Sequence, residues 1–184
     1  MLYLLGLILV IGFFLVVMYN RLVALRQRSR QAWSDIDVQL KQRYDLIPNL
    51  VETVKGYAKH EKGTLEAVIK ARNAAMNAGT VADQAAAENM LTGALKSLFA
   101  LSEAYPDLKA NTNFLKLQAE ISDVENKIAA SRRFYNNAVA EYNTAQEQFP
   151  AVLMAKQMGF SHRDFFEVAA AESAAVNTAP NVKF

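Results

Sequence analysis

The chain has 184 residues, 52% hydrophobic and 21% charged, with 20 Lys+Arg against 18 Asp+Glu for a net charge of +2. That length suits one domain with an appendage, and a charge so near balance is too little for a field that would hold nucleic acid across the whole surface, so no nucleic-acid partner is expected. Without cysteine there are no disulfides, thiolate nucleophiles or zinc fingers, and only His60 and His162 supply imidazole. Seven Gly and four Pro beside thirty Ala describe a chain poor in turn residues and rich in the strongest helix former, so the expected class is all-α.

Residues 2–18 (LYLLGLILVIGFFLVVM) carry no charge, and as a helix they would cover about 26 Å, close to the roughly 30 Å hydrocarbon core. Tyr3 and Tyr19 bracket the stretch at interfacial depths, and Arg21 is placed to snorkel. It lacks the basic leader and small-residue cleavage site of a signal peptide, so a retained anchor over residues 1–20 is expected. Arg21, Arg26, Arg28 and Arg30 follow with no acid before Asp35. The positive-inside bias then predicts a single pass with the N-terminus outside and the bulk in the cytoplasm. The same arginines would meet anionic headgroups, although topology alone would account for them. Gly6 and Gly12 do not form the G-x-x-x-G spacing of a dimerising span.

From Trp33, apolar residues recur at three- and four-residue steps: Ile36, Leu40, Ile47, Leu50, Val54 and Tyr57, with Tyr44 and Val51 widening the stripe. This predicts a long amphipathic helix running straight out of the span, since residues 20–31 contain neither Gly nor Pro. Pro48 falls inside the pattern and should kink it, freeing a carbonyl near Tyr44. Arg43 stands in the apolar register with Asp35, Asp37 and Asp45 nearby, a pattern of paired or snorkelling side chains rather than of catalysis. Residues 60–63 read as a turn. Leu65, Val68, Ile69, Arg72 and Met76 then mark a second helix ending near Gly79. Thr80 with Asp83 makes a capping box for a third, with Met90, Leu91, Leu95, Leu98, Phe99 and Leu101 as its stripe and Pro106 closing it.

The fourth helix carries a seven-residue repeat, Phe114, Ile121, Ile128, Tyr135, Tyr142 and Phe149, with Leu117, Val124, Ser131, Ala138 and Ala145 three residues after the first five. A helix of about 54 Å must lie against others, and short connections favour antiparallel neighbours. The expected architecture is therefore one transmembrane helix followed by an elongated antiparallel bundle of about four helices over residues 21–172. Residues 151–166 would form a short helix, capping the bundle in preference to lying on the membrane surface. Residues 173–184 read as a flexible tail.

AWSDIDVQLKQRYDLIPNLVETVKGYAKHE (residues 32–61), followed by Leu65, Val68 and Ala71-Arg72, closely resembles the signature of the LemA family of membrane-anchored bacterial proteins. Arg133-Phe134-Tyr135-Asn136, Val139, Tyr142-Asn143-Thr144, Phe149-Pro150, Gly159-Phe160, Phe166-Glu167 and the closing Pro180, Val182 and Phe184 are similar to its later segments. The resemblance spans nearly the whole chain. It implies an N-out anchor in the inner membrane and a cytosolic helical bundle, with envelope stress, membrane proteostasis and membrane-compartment formation as themes among relatives rather than as a mechanism.

No catalytic motif emerges. The glycines are scattered singly, without a phosphate-cradling loop, and the two histidines lack metal-ligand spacing. No nucleophile elbow is present. The expectation is a protein without enzymatic activity or cofactor. Tyr135-Asn136 and Tyr142-Asn143 share one helix face, and with the rings inward Asn136 and Asn143 should form polar clasps with Arg43, Asp45 and Asn49 of the first helix, or a lateral contact between copies. Pro180, Val182 and Phe184 suit an extended peptide entering a partner's edge or groove, or else a frayed tail. The leading expectation is a membrane-anchored scaffold or adaptor contacting lipids, its own copies and membrane-protein partners. The alternative is a homo-oligomeric membrane-shaping or membrane-compartment protein.

Overall fold

The computed structural model describes residues 1–167. Among these residues the structure is helical without a strand: α1 (Leu2–Tyr57), α2 (Lys62–Met76), α3 (Val81–Ser102), the single turn α4 (Pro106–Lys109) and α5 (Thr112–Glu147), followed by a 3-10 turn at Ala151–Leu153. The expected tail, with Pro180, Val182 and Phe184, lies outside the described residues.

α1 passes from the apolar stretch into the amphipathic one without interruption, and Pro48 lies inside it without ending it. Asn111 Oδ1 accepts from Phe114 N (2.9 Å) at the start of α5, and Thr80 Oγ1 accepts from Asp83 N (3.1 Å) at the start of α3. Both satisfy amide donors that have no partner inside the helix. Pro106 opens α4 rather than closing α3, which ends at Ser102. A proline fits the first helical turn because its missing N–H would be unpaired there anyway.

The described chain divides into two compact units. The first comprises Met1–Asp37 with Ala130–Phe165, and the second comprises Val38–Ala129 with residues 166–167. In the second unit, Leu40, Ile47, Leu50, Val54, Val68, Leu91, Leu95, Leu98, Phe114, Ile121 and Ile128 are buried. Tyr57, Ile69, Met76 and Met90, expected in the apolar stripes, are exposed instead. In α2 and α3 the small residues Ala71, Ala75, Ala85 and Ala87 take buried places, as suits two helices packed closely against each other.

In the first unit, Tyr135, Ala138, Tyr142 and Ala145 of α5 are buried, so the seven-residue repeat holds up to Tyr142. It fails at Phe149, which lies beyond the helix and is exposed. The expected C-terminal helix is also corrected, since only the 3-10 turn forms before the chain continues as turns and irregular backbone. Gly159, at φ +79°, ends these turns. Phe160 N donates to Ala155 O (3.0 Å) and Gly159 N to Lys156 O (3.2 Å), the paired bonds of a left-handed glycine terminus. The segment does cap its unit: Ala151, Ala155 and Phe160 are buried against Met18, Leu22, Tyr142 and Ala145.

Candidate functional site

The apolar end of α1 is uncovered. Its most apolar 18-residue window has a mean hydropathy of 2.7 and is only 6% buried, unlike the core helix of a soluble domain. Burial begins at Met18 and Leu22, where α5 and the segment after it meet α1. A helix of this length and character is able to cross a membrane, and the surfaces around residues 18–30 then form its collar.

Two of the four arginines after the span are engaged in that collar. The Arg26 guanidinium lies 5.0 Å from the centre of the Phe160 ring, whose edge-on partner is Tyr19 at 5.5 Å. Arg28 Nη1 donates to Glu141 Oε2 at 2.7 Å, with its guanidinium 5.8 Å from the Phe134 ring. Arg21 and Arg30 are exposed. The cluster therefore has two components: Arg26 and Arg28 hold the fold, while Arg21 and Arg30 project outward where headgroups would lie.

Asn143 is bound at this collar and not where the sequence suggested. Its Nδ2 donates to Arg163 O and its Oδ1 accepts from Arg163 N, both at 3.0 Å. Beside it, the Tyr135 hydroxyl donates to Asp164 O at 2.9 Å, and the Tyr135 ring meets Trp33 edge-on at 5.3 Å. The clasp to Arg43, Asp45 and Asn49 is thus corrected for Asn143. Arg28 lies opposite Glu141, so Asn143, two residues on, belongs beside the collar, where the returning segment offers it a matching peptide group. Asn136 is half-buried, whereas Asp45 and Asn49 are exposed.

Arg43 is 2% exposed, and its guanidinium is paired inside the second unit. Its Nη2 meets the Glu88 carboxylate, Nη1 donates to Thr92 Oγ1 at 3.2 Å, and Glu125 Oε1 lies 3.6 Å away. The Tyr44 hydroxyl donates to Glu88, and Gln84 Nε2 donates to Glu88 Oε1 (2.8 Å) and to Ala75 O (3.1 Å). The carboxylate partners of Arg43, Glu88 and Glu125, come from α3 and α5. Gln84, Glu88 and Thr92 sit at four-residue steps on α3, and that polar stripe beside an apolar one was the available signal.

Asp37, at the end of the first unit's α1 segment, is exposed, and partial desolvation raises its carboxyl from the ordinary value. Among the described residues no three His, Cys, Asp or Glu side chains converge to hold a metal. A groove of about 650 Å³ runs along the end of α1 and α2, lined by Val51, Gly56, Leu65 and Ile69 and bearing both cations (Lys55, Lys59, Lys62) and carboxylates (Glu52, Glu66). Apolar and mixed-charge groups line it, with Lys55 paired to Glu52 at 3.2 Å.

Against known proteins, residues 32–184 match the family model described as the LemA family. The chain is 27% identical to Protein LemA of Metamycoplasma hominis over 93% of this chain and 80% of that one. It is 23% identical to Magnetosome protein MamQ of Magnetospirillum gryphiswaldense over 83% of this chain, and it spans 65% of that relative's length. Magnetosome protein MamQ 2 of Paramagnetospirillum magneticum is 22% identical over 83% of this chain and 66% of its own length.

Proposed function

The chain belongs to the LemA family, and from that membership we propose that this membrane-associated protein is a scaffold or adaptor without enzymatic activity. One observation carries the reading. α1 is a single helix from Leu2 to Tyr57, uncovered along its apolar end and buried as it enters the folded body. In the first unit the apolar end of α1 continues without a break into the turn where Met18 and Leu22 are buried with Tyr142 and Ala145 of α5, so that unit is held at the end of the candidate span. The arginines after the span support placing the body at the cytoplasmic face of the bacterial inner membrane. The groove on α1 and α2, apolar with lysines and glutamates at its rim, supplies a surface for a membrane-protein partner.

A second reading is a homo-oligomeric membrane-shaping protein, and the relatives named magnetosome proteins are the reason to keep it. The mass of the full-length chain in mild detergent separates the two. A small oligomer with a stoichiometric foreign protein supports the adaptor. A large homomer that collapses on deleting residues 1–30 supports the shaping assembly and removes the adaptor.

A further inference from the structure

The turn after α5 faces two ways. Ala151 and Ala155 are buried with Met18 and Leu22, and Leu15 and Met154 are packed against the same cluster. Leu15 and Met18 belong to the last turn of the uncharged stretch 2–18. The α1 members of this cluster run from Leu15 to Leu25, so the turn is held where the span gives way to the arginine collar. Its outward side chains are large and apolar: Phe149 is 81% exposed, Leu153 64% and Val152 52%. Residues 148–155 contain no charge, and the first charged groups on either side are Glu147 and Lys156. Three such side chains facing water at adjacent positions are unfavourable, while facing acyl chains they are at home.

We propose that Phe149, Val152 and Leu153 form a second membrane contact, dipping into the acyl region of the leaflet from which α1 emerges. The occupant of this face is the bilayer, because the turn that carries it is packed through Ala151 and Ala155 into the same cluster as Leu15 and Met18, the last turn of the uncharged stretch. The cluster reaches down α1 to Leu15, about 6 Å of helix below Tyr19, a depth within the range of interfacial segments. Lys156, Arg21 and Arg30, all exposed, then stand among the headgroups. Gly159 closes the turn and returns the chain to the collar, so the dip is a short loop with both ends tied to α1 and α5. Inserting side chains into one leaflet alone expands that leaflet, a property the membrane-shaping reading requires. The inference rests on reading the apolar end of α1 as a span.

The test exploits the absence of native cysteine. Single-cysteine full-length variants Phe149→Cys, Val152→Cys and Leu153→Cys are labelled with an environment-sensitive fluorophore in phosphatidylcholine/phosphatidylglycerol vesicles. Ile11→Cys serves as the reference within the span and Asn137→Cys, exposed on α5, as the aqueous reference. Labels at the three turn positions should be quenched by lipids carrying a shallow acyl-chain nitroxide and be at least fivefold less accessible to iodide than the label at Asn137. Iodide accessibility equal to that at Asn137, with the Ile11 label still quenched by lipid, overturns the dip and leaves the span intact. Loss of lipid quenching at Ile11 overturns both. Protection from iodide without lipid quenching overturns the bilayer as occupant and assigns the face to protein.

Discussion

Arg72 Nε donates a 2.8 Å hydrogen bond to the backbone carbonyl of Tyr44, the carbonyl that Pro48, four residues on, has no N–H to satisfy. The defect that proline introduces into α1 is repaired by a side chain from α2. Arg72→Leu keeps the stem's bulk and removes the donor, so the second unit should lose about 1–3 kcal/mol in urea unfolding. Pro48→Ala restores the helix's own donor, and in that background the Arg72→Leu loss should fall below about half its original value. Equal losses in both backgrounds would show that Arg72 acts through packing alone.

The Arg43–Glu88 pair is almost dry, with both side chains 3% exposed. Glu88→Ala leaves the buried guanidinium with only the more distant Glu125 carboxylate and Thr92, and should cost about 3 kcal/mol. Replacing both partners, Arg43→Met with Glu88→Leu, should recover most of that loss, because the desolvation of two charges is removed along with their attraction. Thermal unfolding of the single and double variants decides it, and a double variant no better than Glu88→Ala would mean that Thr92 and Gln84 depend on the charges for their own positions.

Gly159 has nothing within 4 Å of the place a Cβ would occupy, yet its φ is +79°. Gly159→Ala should therefore destabilise through the backbone and not through collision, by about 1–2 kcal/mol. Hydrogen exchange should localise the effect, with the Phe160 amide, which donates to Ala155 O, losing protection first. Uniform loss across α5 would contradict a local origin.

The helices were legible because their signals are local. Capping at Thr80, the stripe from Ile36 to Val54 and the repeat from Phe114 to Tyr142 need only neighbours along one helix. Even the carbonyl released near Tyr44 followed from Pro48 alone. Partners across helices were not legible, because they depend on how far each helix slides along the next. Asn143 was matched with Arg43 on chemical suitability, while the fold brings it the Arg163 peptide from a segment with no helical period to read. Arg43 attracted the three nearby aspartates in sequence, but its closest carboxylate comes from Glu88 on α3. Alanine was the other obstacle, since Ala71 and Ala75 fill buried positions that Ile69 and Met76 were expected to occupy.

Tyr135 links the collar to pH. Burial pushes its phenol above the ordinary value, Arg163 partly offsets that shift, and the Asp164 charge adds to it. The neutral phenol is the form the folded state favours, and it is the form that donates to Asp164 O. Its contribution is therefore fully present below about pH 10 and is lost as pH rises through the raised value. Tyr135→Phe should lower stability by about 1 kcal/mol at neutral pH, by loss of one hydrogen bond. The deficit should shrink above pH 10, as the wild-type phenol ionises and gives up the same bond. Melting temperatures of both proteins from pH 7 to pH 11, with phenolate absorbance followed in parallel, test the sign. Curves that stay parallel across that interval would show that Tyr135 ionises without cost to the fold, and the collar would then owe its order to Asn143 and Phe160 instead.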